Sequence, residues 1–317
     1  MRLSIIAPCY NEAENIAELR HQLGRVADTL VSDPAYGLDD IEFVLVDDGS
    51  RDTTLECLKA WAGEDPRVCA ISLSRNFGHQ AALSAGIDHA TGDAVVVMDA
   101  DLQHPPDLIL EFVRKWREGY DLVYAYREGI KPRLGYRLIN ALMKIHVPAE
   151  AADFRLMARP MVNAFRRMPE HARFIRGMMS WLGFRQIGVG YSDRDRFAGD
   201  RAFTVRQTAQ MALNAVLAFS NIPLRMASLA GLLTIFFGCC YAVFILYRVL
   251  FGDASRIQPG WTALILTVLV LGGVQLLCLG IIAEYIGRIF EDVKRRPLYV
   301  VREVIVSGPP GPAKTGS

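Results

Sequence analysis

The 317 residues suffice for one large α/β domain with an appendage, and 35 basic against 34 acidic residues, a net charge of +1, exclude the basic face that a nucleic-acid partner requires. Six cysteines with no C-x-x-C pair, and no histidines at zinc-ligand spacing, read as small buried hydrophobes in a reducing compartment. Met1 to Ile6 enters an apolar run without the charged start and long apolar core of a signal peptide, so export of this part is not expected.

Along the chain, apolar runs alternate with helical spacing. Strands are predicted at Leu3–Ala7, Ile41–Val46, Val68–Leu73, Ala94–Met98 and Leu122–Tyr126, and helices at Glu14–Leu30, Thr53–Ala62, Gln80–Ala90 and Asp107–Glu118. Continuous apolar strands alternating with helices imply a mainly parallel sheet covered on both faces. Ligands of such sheets sit at the carboxyl ends of the strands. That rule brings three polar stretches to one cleft: Pro8-Cys-Tyr-Asn-Glu12, Asp47-Asp-Gly-Ser-Arg-Asp52 and Asp99-Ala-Asp-Leu-Gln103.

Neither a G-x-G-x-x-G after the first strand nor a G-x-x-x-x-G-K-[ST] loop occurs, so the cleft edge is acidic where a dinucleotide or P-loop site would be glycine-rich. An acidic edge can face phosphate only through a cation. Asp99, Asp101 and the amide oxygen of Gln103 suit a hard divalent ion, Mg²⁺ or Mn²⁺, with water and substrate phosphates filling its other positions. The plainer alternative for these residues is an acidic turn before a proline-started helix. For Asp52 it is a turn and helix N-cap.

Further on, Asp153-Phe-Arg-Leu-Met157 puts an acid and a base on one face if extended, either as site residues or as a salt-bridged edge strand. Thr204–Ser220 is apolar with few charges, readable as a core helix or as a helix lying in a membrane interface. Met226–Tyr247 and Trp261–Ala283 carry no charge, each run being about the 20 residues that span a bilayer. Arg288, Lys294, Arg295, Arg296 and Arg302 follow the second run. This basic cluster places the C-terminal tail, and with an even number of spans the N-terminal domain, in the cytoplasm. The last residues, from Ser307, are polar and rich in Gly and Pro, as disordered tails are.

Read in order, VLVDDGSRD, VVVMDADLQHPP, ADFRLM, RFIRGMMSWLGF and the two-helix C-terminus resemble the family 2 glycosyltransferases that load sugars onto polyprenyl phosphates. The resemblance implies a GT-A type, Rossmann-like sheet at 1–203, juxtamembrane amphipathic helices at 204–225, a transmembrane hairpin at 226–286 and a cytoplasmic basic tail at 287–317. It implies an inverting hexosyltransferase at the inner membrane face, using a UDP- or GDP-linked sugar and undecaprenyl phosphate. Pro8, Tyr10, Glu12, Asp47 and Asp99 would bind the donor nucleoside, Asp101 and Gln103 with Asp99 the cation, and Asp153 and Arg155 would be catalytic. Arg176, Arg196 and Arg201 would contact donor phosphates, and Arg133 and Arg137 the acceptor phosphate. A second copy of the chain and the membrane are further expected partners, and nucleic acid is not.

The chain departs from the family's Arg-x-x-Gly-Glu-Ser-Lys-Tyr-like loop at Arg196-Phe-Ala-Gly-Asp-Arg-Ala-Phe203, where Ala202 takes the Lys position and Arg201 stands one residue earlier. The alternatives are transfer to another lipid such as diacylglycerol, for which a raised pKa at Asp153 would speak, and a non-catalytic protein that only binds nucleotide sugar.

Overall fold

The computed structural model describes residues 1–127, 151–170, 173, 175–191, 222–251 and 260–306. An eight-stranded sheet runs in the order β7-β5-β6-β4-β1-β2-β3-β8. Its strands are β1 (Arg2–Cys9), β2 (Asp40–Asp47), β3 (Val68–Leu73), β4 (Ala94–Val97), β5 (Leu122–Arg127), β6 (Ala151–Ala158), β7 (Gln186–Tyr191) and β8 (Val301–Val306). β4, β1, β2 and β3 pair in parallel, as do β5 and β7, whereas β6 runs antiparallel between β4 and β5 and β8 runs antiparallel along β3.

The helices of the domain are α1 (Ala13–Ser32), α2 (Thr54–Glu64), α3 (His79–His89), α4 (Leu108–Arg117), α5 (Arg159–Arg166) and α6 (Ile175–Trp181). In α1 the buried positions Ile16, Leu19, Leu23, Val26 and Leu30 recur three or four apart, the stripe of an amphipathic helix. One apolar core joins α1, α2 and α4 to the sheet through Leu19, Trp61 and Phe112. The other face holds a second core, in which Leu83, Met161 and Met178 of α3, α5 and α6 lie over Ile6 and Val46. Both faces are therefore covered, which is why β1 and β2 are apolar without alternation. Gly86 lets α3 lie directly on the sheet, since a Cβ there would stand 2.3 Å from Ile6 Cγ2.

β1 has β4 on one side and β2 on the other, so the strand order reverses there. A crevice opens beyond the carboxyl ends of strands at such a switch point. The Pro8–Glu12 stretch and Asp99 leave the sheet at this place.

Two long helices follow, α7 (Ile222–Phe251) and α8 (Trp261–Val293), each long and apolar enough to cross a membrane. Their large side chains, Phe236, Phe244, Leu276 and Ile289 among them, are exposed. α8 runs on beyond Ala283, and the segment read as tail contains β8, the eighth strand of the sheet. Ser74 N–H donates to Val300 O at 2.9 Å, Tyr299 OH to Asp88 at 2.9 Å, and Lys59 pairs with Glu303 at 2.7 Å, so the chain after the second apolar helix returns to the N-terminal domain. The juxtamembrane stretch at 204–220 and the last residues from Ser307 lie outside the described residues.

Candidate active site

The loops after β1 and β2 are built as one unit. Asn11, at φ 54, donates its N–H to Ser50 Oγ at 3.0 Å and accepts from Arg51 N–H at 2.8 Å, while Glu12 N–H donates to Thr54 Oγ1 at 2.9 Å. Asp52 accepts from the N–H of Thr54 and of Ala13, so it pins this junction as a turn residue, while the N-cap position of α2 falls one residue later, at Thr53. Asp47 is buried and accepts from Ser50 N–H at 3.1 Å and Ser72 Oγ at 3.3 Å. Pro8 is a buried residue of β1, one before the strand ends at Cys9, and Tyr10 and Glu12 just beyond are partly exposed.

Asp48 reaches the other way. Its carboxylate accepts from Phe77 N–H at 2.7 Å and Gly78 N–H at 2.9 Å, which fixes the loop between β3 and α3. Gly49, at φ +66, makes this approach possible, because a Cβ there would lie 2.5 Å from the backbone carbon of Arg75.

The acidic centre forms where β4 ends against β6. Asp101 Oδ1 accepts from Gln103 N–H at 3.2 Å across a turn in which Leu102 takes φ 58. Asp99 lines the cleft, with His79 Nε2 3.5 Å from Oδ1 and His104 Nδ1 3.9 Å from Oδ2. Burial pushes the Asp99 carboxyl up, and the charges of Asp153 and Asp101 push the same way against His79 and His104. His104 is buried against the rings of Phe154 and Tyr191, and its Nδ1 has no hydrogen-bond partner.

Asp153 is gripped from two sides. Arg155 Nη2 donates to Oδ1 at 2.8 Å, and Arg176, at the start of α6, donates from Nε to Oδ1 at 2.8 Å and from Nη2 to Oδ2 at 3.0 Å. Burial alone would raise this carboxyl; Arg176 and Arg155 outweigh it and hold Asp153 well below the usual carboxylate range. Burial lowers the Arg155 guanidinium to about 10, against the opposing pull of Asp153. The pair expected of an extended segment is present, but β6 is an interior strand and not an edge.

The structure thus brings Asp99, Asp101, Asp153, Arg155 and Arg176 together. Arg176, expected on donor phosphate, is engaged on Asp153. Arg133, Arg137, Arg196 and Arg201 lie outside the described residues. Sequence reasoning did not single out His79 and His104, which the fold sets beside Asp99, whereas Asp48 lies in a stretch already read into the cleft. The carboxyl-end rule, applied to β3 as it was to β1, β2 and β4, would have pointed to Arg75-Asn-Phe-Gly-His79.

Among the described residues no three His, Cys, Asp or Glu side chains form a preformed metal cage. Mg²⁺ or Mn²⁺ held by one or two carboxylates, with substrate phosphates and water completing the shell, needs none. Asp99 and Asp101 fit that role, because they are oxygen donors whose mutual repulsion a cation would relieve.

A mainly parallel sheet, covered on both faces, with carboxylates at its switch point and followed by two helices long and apolar enough to cross a membrane, defines a protein of the α/β class. Residues 4–170 match Glycosyl transferase family 2, and the chain belongs to that family of glycosyltransferases. It is 40% identical over 312 residues to the uncharacterized glycosyltransferase YkcC of Bacillus subtilis, covering 96% of this chain and 94% of that protein. It is 34% identical over 313 residues to the bactoprenol glucosyl transferase of Shigella phage SfII, covering 96% of this chain and 98% of that one. Among solved structures, mannosyl-3-phosphoglycerate synthase from Rubrobacter xylanophilus is similar with a TM-score of 0.48 at 18% identity, over 68% of this chain and 72% of that one.

Proposed function

We propose that this glycosyltransferase moves a sugar from a UDP- or GDP-linked donor to a polyprenyl phosphate such as undecaprenyl phosphate, with inversion at the anomeric carbon and with Mg²⁺ or Mn²⁺ on the donor. The observation that carries the reading is the state of Asp153: held by two arginines as a carboxylate, it is a poor proton acceptor. A phosphate monoester needs no base, since its second pKa of about 6 leaves it largely a dianion at neutral pH. A diacylglycerol hydroxyl would need one. The bactoprenol named in the Shigella phage relative is the same class of acceptor.

On this reading Asp99 and Asp101, with Gln103 beside them, hold the cation, which would offset charge on the departing nucleoside diphosphate. Pro8, Tyr10, Glu12 and Asp47 shape the nucleoside side of the cleft. An acceptor phosphate oxygen bonds to the anomeric carbon while the bond from that carbon to the donor diphosphate oxygen breaks, its electron pair leaving with the nucleoside diphosphate. Asp153 faces the positive charge that develops at the anomeric carbon, and Arg155 and Arg176 keep it ionised and aimed.

We place residues 1–203 as the catalytic domain and 204–225 against the interface. Residues 226–286 cross the membrane as a hairpin, and 287–317 return to the cytoplasmic side. The pairing of β8 with β3 supports that return, because it ties the end of the chain to the domain at its start.

The test is to incubate the purified full-length chain with a panel of nucleotide sugars, Mn²⁺ and either undecaprenyl phosphate or diacylglycerol, and to weigh the lipid products. A lipid phosphosugar from the first acceptor supports the proposal; product from diacylglycerol alone, or none from either, sinks it.

A further inference from the structure

We infer that His79 is a positioning residue that sets the spacing of Asp99 and Asp153, an inference that rests on the active-site reading of these two carboxylates. Asp99 follows the end of β4 and Asp153 lies in the antiparallel β6, and like charge on the two in one cleft tends to part them. His79 Nε2 stands between them, 3.5 Å from Asp99 Oδ1 and 3.9 Å from Asp153 Oδ2. The imidazolium and the Nε2-protonated neutral tautomer both carry an N–H at this position between the two carboxylates.

The backbone beneath His79 is held more firmly than an exposed loop requires. Asp48 takes the N–H groups of Phe77 and Gly78, the two residues before it. Gln80, the residue after it, accepts from Ile175 N–H at 3.2 Å through Oε1. Ile175 precedes Arg176, which grips Asp153. The first turns of α3 and α6 are therefore tied to each other, and each sends one side chain to Asp153. His79 is 43% exposed on its side chain, so it is not placed there by core packing. Its position follows from the clamps on either side.

A packing residue would tolerate any side chain that keeps the fold, whereas a positioning residue needs a donor at the reach of Nε2. Gln supplies such a donor and Ala does not. In the full-length enzyme His79→Ala should lower kcat by more than about tenfold, with KM for the nucleotide sugar little changed and the melting temperature unaltered. His79→Gln should recover most of the loss. Wild-type kcat in His79→Ala overturns the inference, as does an equal fall in both variants accompanied by a lower melting temperature.

A second measurement is independent of turnover. With ¹⁵N-histidine labelling, the His79 ring signal, assigned by its disappearance in His79→Gln, should shift in both Asp99→Asn and Asp153→Asn. A signal that moves in neither overturns the inference. If the wild-type chain glycosylates no lipid, the functional reading fails while the ring signal still decides the placement of His79.

Discussion

Arg176 meets Asp153 with two parallel contacts, 2.8 Å and 3.0 Å, from a helix that begins 22 residues after Asp153 in the chain. A guanidinium can make this fork; an ammonium cannot. Arg176→Lys should therefore lower kcat/KM by about tenfold to a hundredfold, roughly 1.4–2.8 kcal/mol of transition-state stabilisation. Steady-state kinetics check this, and a Lys variant as active as the wild type would contradict it.

The same carboxylate should write itself into acid stability. Its folded pKa is depressed, because Arg176 and Arg155 outweigh burial. The stability it contributes is complete above the unfolded value of about 3.9 and is lost as pH falls through the folded value. Asp153→Asn leaves Arg155 buried without its charge partner, which costs about 3–5 kcal/mol at neutral pH. Thermal melts of both proteins from neutral pH downward should converge below about pH 4. A gap that widens on acidification would be evidence against the pair.

Asp101 and Asp99 are expected to bind the divalent ion. Mn²⁺ added to the purified chain should give a bound signal by electron paramagnetic resonance, weakened at least about tenfold in affinity by Asp101→Asn. Chelation should stop turnover, and Mn²⁺ should restore it. Unchanged Mn²⁺ affinity in the Asn variant would remove Asp101 from the ligand set.

Gly49→Ala tests the junction beneath His79. The added Cβ would meet the Arg75 and Asn76 backbone at 2.5 and 2.6 Å with φ at +66. Strain of this kind costs about 1–3 kcal/mol. A lower melting temperature together with reduced kcat is expected, and an unaffected melt would show that the two loops part freely.

Topology can be read by labelling. In a cysteine-free background, Ser307→Cys should react from the same side as the N-terminal domain, because β8 ends at Val306 within the domain's sheet. Ser255→Cys, between the two apolar helices, should react only from the opposite side. Labelling of both from one side would exclude a transmembrane hairpin.

How much of this was legible beforehand follows from what local pattern can carry. β1 to β5 and α1 to α4 declare themselves through apolar runs and helical spacing, properties of neighbouring residues in the chain. The long apolar helices follow from composition alone. The carboxyl-end rule then placed Asp99 and Asp101 at a cleft before any coordinates. By contrast, Val301-Arg-Glu-Val-Ile-Val306 has the length of β3, but its place as the eighth strand comes from the edge that β3 offers, a pairing between distant parts of the chain that no local pattern records. The grip of Arg176 on Asp153 and the placing of His79 between two carboxylates were likewise decided by tertiary structure. Each depends on how α3 and α6 lie over the sheet, and no periodicity along the sequence encodes the distance between side chains that meet only after folding.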